Sequence, residues 1–383
     1  MLRDSSNRFR RPRAALPAAA LATALLVAGC VNTQKLVLSG GDLERLKQDR
    51  GLPVSSVVVP FEINDEMRAW LTQRVSANMP MERRLDLLIA SLFNPKDFKI
   101  EYESATTATA KEVFAHRRGN CLAFTSLFVG LARELGVPVF YLDVEDVESF
   151  LKEGDLVVVS GHVSAGFGTG KDLKVFDFSP NPERQFRPVR SISDQTAIAL
   201  FYSNRGAEML RAGQGVEALK WLQTAVRLDP ENARPWINLG VAERRNGNLD
   251  KAEAAYRRAL EIDAGASSAY QNLATLLRLK GQVKEADALS TLAARLDRRN
   301  PFNYLALGDI SLGNGRYDEA RRFYKRALGL EHKGGRGAEA YAAMGQLALA
   351  MGDAQEALTW LKKAISIDQE NPRVRGLAAR LGV

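Results

Sequence analysis

An α+β domain followed by an all-α array of helical hairpins is the fold class this sequence predicts, on three observations. Small residues recur with a period of 34 across the C-terminal half, the mark of stacked helix pairs. The N-terminal half reads instead as helical patterns followed by short β-branched strands with a turn-rich link. Composition supplies the third: 383 residues, 46% hydrophobic and 26% charged, describe a globular chain long enough for two domains.

The first 29 residues stand apart. Residues 1–13 are basic and Ala14 to Gly29 is apolar, the n- and h-regions of an export signal. The apolar run is short for a membrane span, which needs about 20 residues. Half of the net charge of +8 lies here, where Arg3, Arg8, Arg10, Arg11 and Arg13 are opposed only by Asp4. The remainder is spread too thinly to argue for a nucleic-acid partner. Leu26-Val27-Ala28-Gly29-Cys30 closes the apolar run and resembles the bacterial lipobox, in which the signal is cut before the cysteine and the thiol is lipidated. That resemblance implies Cys30 as the first mature residue, holding the chain to a membrane through several acyl chains. Val31 after it, in place of Asp, implies the periplasmic face of the outer membrane in the bacterial cell envelope. The chain has two cysteines. With Cys30 taken by lipid, Cys121 has no disulfide partner, and a lone thiol in an oxidising compartment is either buried and inert or reactive.

Residues 30–60 read as a tether, with a short helix after Ser39-Gly40-Gly41 and strand character from Ser56 to Pro60. The α+β domain occupies 61–198. Met67, Trp70, Leu71 and Val75 share one face of a helix from about Asn64 to Ala77, and Leu85, Leu87, Leu88, Ile89 and Leu92 mark a second after Pro80. Phe98 to Tyr102 is extended, and Thr109 to Phe114 is a short helix leading into Arg117-Arg118-Gly119-Asn120-Cys121. Phe124, Leu127, Phe128, Leu131 and Leu135 then recur at the spacing of an amphipathic helix, with Asn120 suited to cap it and Gly136 to end it. Cys121 thus falls in the first turn. There the positive end of the helix dipole favours the thiolate, the form that attacks a carbonyl.

Three strands follow: Val137 to Leu142, Leu156 to Val159 running on to Val163, and Leu173 to Phe178. A tight turn at Thr169-Gly170, with Gly168 facing Lys171, predicts His162 directly opposite Asp177, their Cβ atoms about 4.5–5.5 Å apart. A slip of one residue would destroy that pairing. The glycines here do not make a phosphate loop. A Walker A motif ending at Gly170-Lys171 needs Gly at 165 and Ser or Thr at 172, where the chain has Ala165 and Asp172.

This order of Cys121, His162 and Asp177 comes with an Arg-Gly-Asn-Cys segment, a Leu-Gly-Val-Pro exit from the helix and a Phe-Asp near the end of the sheet. Together they resemble the transglutaminase-like core of the papain-type thiol enzymes, over roughly Phe61 to Pro182. The resemblance implies a Cys-bearing helix packed on an antiparallel sheet. It implies Cys121 as nucleophile, His162 as general base and then acid, and Asp177 as the orienting group. The backbone N–H of Cys121 would donate to the oxyanion, with Tyr102 as an aromatic donor beside it. Val163-Ser164-Ala165 departs from the family by lacking the aromatic often found after the histidine, which bears on substrate class. His116 is a rival base, five residues before the cysteine but without a paired carboxylate. One thiol and scattered histidines give no metal-ligand spacing, so neither metal nor cofactor is expected.

From 199 to 383 the chain is periodic. Gly206, Gly240, Ala274 and Gly308 are 34 apart, and Gly345 follows after 37. Ala218, Ala252, Ala286, Ala320 and Ala357 lie twelve residues beyond them, then Ala225, Ala259, Ala293, Ala327 and Ala364. Tyr202, Trp236, Tyr270, Tyr304 and Tyr341 lie four before. Small residues let helices approach and aromatics fill between hairpins; the pattern resembles five tetratricopeptide repeats. Pro372 to Val383 reads as the capping helix that a terminal repeat needs. The resemblance implies a concave face for a partner protein. The expected function is acyl chemistry on amide bonds of a protein or peptide through a Cys121 thioester. Hydrolysis is favoured over transfer because water, at ~55 M, needs no second site. The alternative is a non-catalytic envelope assembly factor working through its repeats.

Overall fold

The structure, a computed structural model, describes residues 22–23, 37–52, 57–94, 98, 100–153, 156–178, 189–331 and 337–383, with the side chains of 22–23, 145–153, 156–160 and 331 outside that description. Cys30 lies outside the described residues, as does the predicted export signal apart from β1 (Ala22–Thr23), which pairs antiparallel at a sheet edge. Among the described residues no helix is long and apolar enough to cross a membrane.

Five helices lie between β1 and the next strand of its sheet. α1 (Gly40–Asp49) begins with a capping box between Ser39 and Asp42. It lies in the segment read as a tether, yet Leu38, Leu43 and Leu46 pack against the domain core and Leu52, Val57 and Val59 are buried in it. Val57, Val58 and Val59 alternate in, out, in as a strand would, but the segment joins no described sheet. Its backbone is satisfied otherwise: the Val58 N–H donates to the Tyr202 hydroxyl at 2.7 Å, and the Pro60 carbonyl accepts from Ala110 at 2.6 Å. α2 (Asp65–Thr72) is capped by Asn64 and closes at Gln73, earlier than the expected Ala77. α3 (Met81–Leu92) starts after Pro80, and α4 (Ala110–His116) after a Thr109–Glu112 capping box.

α5 (Cys121–Glu134) is the centre of the domain. The Asn120 side chain accepts from the Ala123 N–H, the cap expected from sequence. The helix is not amphipathic, however: every residue from Cys121 to Ala132 is buried. α2, α3 and α4 cover one side of it and the sheet the other, so its polar positions face protein. Thr125 donates to the Val163 carbonyl, and Ser126 accepts from the Tyr141 hydroxyl at 3.1 Å.

The sheet contains β4 (Phe140–Glu153), β5 (Leu156–Phe167), β6 (Lys174–Phe176) and β7 (Val189–Ile192), in the order β1-β6-β5-β4-β7. All neighbours are antiparallel. A parallel pair, β2 (Glu101–Tyr102) with β3 (Arg118–Gly119), brackets the entry to α5. β4 extends well beyond the strand expected at 137–142, and β7 was not foreseen. A register shift between Val144 and Ser149 divides the β4–β5 hairpin into a part within the sheet and an arm projecting past it.

The repeats are helix pairs. α6 (Asp194–Arg211) pairs with α7 (Gly215–Leu228), α8 (Ala233–Arg245) with α9 (Leu249–Ile262), and α10 (Ser267–Leu279) with α11 (Val283–Leu296). α12 (Pro301–Gly313) pairs with α13 (Tyr317–Glu331) and α14 (Ala338–Ala350) with α15 (Ala354–Asp368), and α16 (Pro372–Leu381) covers the end by burying Val374 and Leu377. The glycines of the period are steric. A Cβ at Gly240 would strike the ring of Tyr256, and one at Gly308 that of Tyr324. First helices touch from pair to pair, α6 with α8, α8 with α10, and α12 with α14, so they line the inner side of the array.

Domain and array share one core. Ala197 to Tyr202 of α6, with Ala225 and Leu228 of α7, belong to the same buried cluster as Leu122, Phe128 and Tyr141. Arg133 of α5 forms a two-pronged ion pair with Asp194 at 2.8 and 2.9 Å, and the Leu38 N–H donates to the same carboxylate. The expected division at 198/199 falls inside α6. Further on, β5 lies against α8 and α10.

Candidate active site

The segment entering α5 is shaped by sterics before chemistry. Arg117 adopts a left-handed conformation, φ 61°, and its guanidinium stacks 3.5 Å over the Phe98 ring. Gly119 passes so close to α5 that a Cβ there would lie 2.7 Å from that of Ala123. Asn120 is buried, donating to the Thr107 hydroxyl at 2.7 Å while it caps the helix. The result is a cysteine fixed at the first position of a helix, 8% exposed and unpaired with any other sulfur.

Its partners come from the sheet. The Cys121 thiol hydrogen-bonds the His162 side chain and accepts from the Val163 N–H. His162 Nε2 stands 2.7 Å from Asp177 Oδ1, with the imidazole almost wholly buried and the carboxylate nearly so. With Nε2 on Asp177, Nδ1 is the atom toward sulfur. An Asp that accepts from Nε2–H fixes this tautomer and leaves Nδ1 to take the thiol proton. Burial pushes the thiol up, but the hydrogen bond and charge of His162 and the Val163 N–H outweigh it, so the thiol is held below its ordinary range. Burial would lower His162; the bonds to Asp177 and Cys121 overcome it and raise the imidazole to about 9. Both shifts favour a thiolate beside an imidazolium.

The structure therefore brings Cys121, His162 and Asp177 together, though not by the expected register. The β5–β6 ladder pairs Ala165 with Phe176, Gly166 with Val175 and Phe167 with Lys174. Asp177 thus falls opposite Ser164, two residues from the predicted partner. The cause is the turn: Gly168 at φ +86° and a single 3-10 turn, Gly170–Asp172, make the loop longer than the tight turn at Thr169-Gly170. A shift of two preserves the face, so His162 and Asp177 meet on the diagonal. Rings of Phe128 against Phe176 and Phe178, at 4.9 and 5.3 Å, seat the end of β6 on α5.

Tyr102 lies on β2 beside the Cys121 approach, 37% exposed, its ring 6.3 Å from that of Phe124. His116 ends α4 at the surface, lining a cleft with Glu112, Arg118 and Arg205. Sequence reasoning missed the Val163 N–H and the Thr125 hydroxyl, both of which tie β5 to α5. A Thr-Ser pair inside an otherwise apolar helix was the available signal for the second.

Residues 71–142 match the family model described as Transglutaminase-like superfamily, and residues 206–269 and 311–381 match models described as Tetratricopeptide repeat. The first match includes Cys121 and ends before His162 and Asp177. Among curated relatives, the bifunctional subunit NrfFG of the formate-dependent nitrite reductase complex of Haemophilus influenzae is 27% identical over 128 residues, 33% of this chain and 33% of that protein. Heat shock protein STI1 of Saccharomyces cerevisiae is 33% identical over 79 residues, 21% of this chain and 13% of that protein. The matched stretches thus span a third or less of these relatives' own lengths. Among solved structures, a thermophilic tetratricopeptide-repeat protein of Thermus thermophilus is 21% identical, with a TM-score of 0.42, over 48% of this chain and 98% of that one. YrrB, described as having an unusual peptide-binding site, is 20% identical, with a TM-score of 0.34, over 47% of this chain and 92% of that one.

Proposed function

We propose that this chain, a transglutaminase-like core followed by tetratricopeptide repeats, is a thiol enzyme acting on amide bonds of a protein or peptide. The observation that carries the reading is the Cys121 thiol bonded to His162, which Asp177 holds at 2.7 Å. Thiolate attack on the amide carbonyl forms the C–S bond, and the backbone N–H of Cys121 at the helix start is the donor for the oxyanion. His162 Nδ1–H protonates the departing amine as the C–N bond breaks, leaving a thioester. Nδ1, now unprotonated, removes the proton of an incoming water or amine, and collapse restores the thiolate. Water as acceptor gives hydrolysis; an amine gives transfer. The repeats recruit the protein substrate or a partner on their inner face, and Cys30, if lipidated, anchors the chain in the bacterial envelope.

The test is covalent. Cys121 should react with a thiol-directed electrophile at pH values below the ordinary thiol range, and an acyl adduct on Cys121 should be recoverable from an envelope extract by mass spectrometry. Full activity of Cys121→Ala would sink the reading. The 8% exposure of Cys121 favours a second reading, a scaffold whose core is a binding module. Under that reading Cys121→Ala retains the cellular phenotype while deletion of the repeats loses it.

A further inference from the structure

One guanidinium from the repeats reaches the strand that carries His162. Arg234 is the second residue of α8, in the second repeat, and its backbone N–H donates to the capping Asn232. Its Nη1 and Nη2 donate to Asp143 Oδ1 and Oδ2 at 2.9 and 3.1 Å. Asp143, almost fully buried, also accepts from Arg190 of β7 at 3.4 Å. A cation at a helix N-terminus runs against the helix dipole, so this placement is held by the carboxylate, not by the helix.

The position of Asp143 gives the contact its consequence. On β4 it lies opposite Val163, and its neighbour Val144 lies opposite His162. The residue before His162 is Gly161, where a Cβ would stand 2.6 Å from Arg234 Cζ and 3.1 Å from Nη2. The guanidinium therefore covers the backbone of β5 at Gly161 while gripping β4 at the rung that holds Val163. His162 and the Val163 N–H are the two groups that bond Cys121.

We propose that Arg234 of the second repeat is a positioning residue for the thiol site, holding the β4–β5 ladder at His162 and Val163 through Asp143 and Gly161. This rests on the thiol-enzyme reading and extends it: the repeat array completes the site it serves. A planar fork of fixed geometry is what the contact uses, which a lysine does not reproduce. Among the described residues, the charged groups around His162 are Asp177 just past the end of β6 and Cys121 on α5, with Asp143, Arg190 and Arg234 behind the strand. Losing Arg234 changes how well the first two are aligned.

The experiment is carried out on the full chain with Arg234→Lys, Arg234→Gln and the double variant Arg234→Gln/Asp143→Asn. Alkylation of Cys121 by iodoacetamide is followed across the acid and neutral range, with peptide mapping to separate it from Cys30. Titration of the His162 imidazole by NMR gives a second readout that needs no thiol chemistry. In the wild type, alkylation persists on the acid side and His162 titrates high. In Arg234→Gln the acid-side rate should fall about tenfold, the equivalent of one pKa unit, with the alkaline plateau unchanged. The lysine variant should lie between the two. The double variant, free of a buried lone carboxylate, should fold like the wild type and show the same loss. Wild-type profiles in a folded Arg234→Gln, or in the folded double variant if the single one does not fold, overturn the proposal. An ordinary thiol limb in the wild type overturns the thiolate reading and the proposal with it; a depressed wild-type limb with unaltered variants removes only the role of Arg234.

Discussion

At the scale of residues, the site is two protonation equilibria set against each other by placement. Cys121 is held low and His162 high, at about 9, so thiolate and imidazolium coexist over a window bounded below by the thiol and above by the imidazole. Alkylation should decline only as pH falls through the lowered thiol range. Turnover should fail again as pH rises past about 9, because the amine then departs without its proton. His162 binds its proton more tightly in the folded chain, so its contribution is full below the ordinary imidazole range and is lost as pH rises through about 9. Cys121, held low, contributes with the opposite sign and offsets it, so the His162 share is checked by its own NMR titration in the folded and the unfolded chain. Asp177→Asn keeps the shape but not the acceptor for Nε2–H, and should lower turnover by roughly 10²-fold or more, measured as kcat with KM little changed. The identity of these three residues was legible from the chain order and the Arg-Gly-Asn-Cys segment. Their register was not, because a 3-10 turn after Gly168 leaves no distinctive residue pattern, and only the shared face survived the two-residue error.

At the scale of elements, α5 determines where everything else sits. A helix buried on all sides is possible here because Thr125 and Ser126 find partners in β5 and β4, and because Gly119 and Gly130 admit neighbours that no Cβ would allow. At Gly130 the neighbour is the Phe61 carbonyl. Gly119→Ala places a methyl 2.7 Å from the Ala123 Cβ and should cost about 1–3 kcal/mol, as overpacking does. A fall in thermal midpoint, accompanied by slower Cys121 labelling as the helix start shifts, is the expected result. The helical spacing in the sequence located α5 and its Asn120 cap correctly. It suggested one solvated face because periodicity counts apolar residues, whereas here the polar ones are satisfied inside. The repeats were the most legible part, since each glycine has a steric task repeated at fixed spacing. The rings that give that task to Gly240 and Gly308, Tyr256 and Tyr324, were not singled out.

At the scale of the molecule, the division between enzyme-like domain and repeats is one of sequence pattern and not of packing. α6 supplies Ala197 to Tyr202 to the domain core, Asp194 to Arg133 and a hydroxyl acceptor to Val58. A fragment ending at residue 198 should therefore not fold, whereas one ending after α9 keeps both the shared core and Arg234. The measurement is a cooperative thermal transition, expected for the second fragment and absent for the first. The periodic signal could not reveal this, because α6 satisfies the repeat pattern on one face while its other face belongs to the domain. The arm of the β4–β5 hairpin bears on what the repeats can bind. β5 already lies along α8 and α10, helices of the array's inner side, so a partner that reads those two repeats meets a competitor covalently attached to the receptor. A partner that used those two helices would have to displace β5, so for such a partner loosening the β5 contact, as in Arg234→Gln, should lower the apparent Kd.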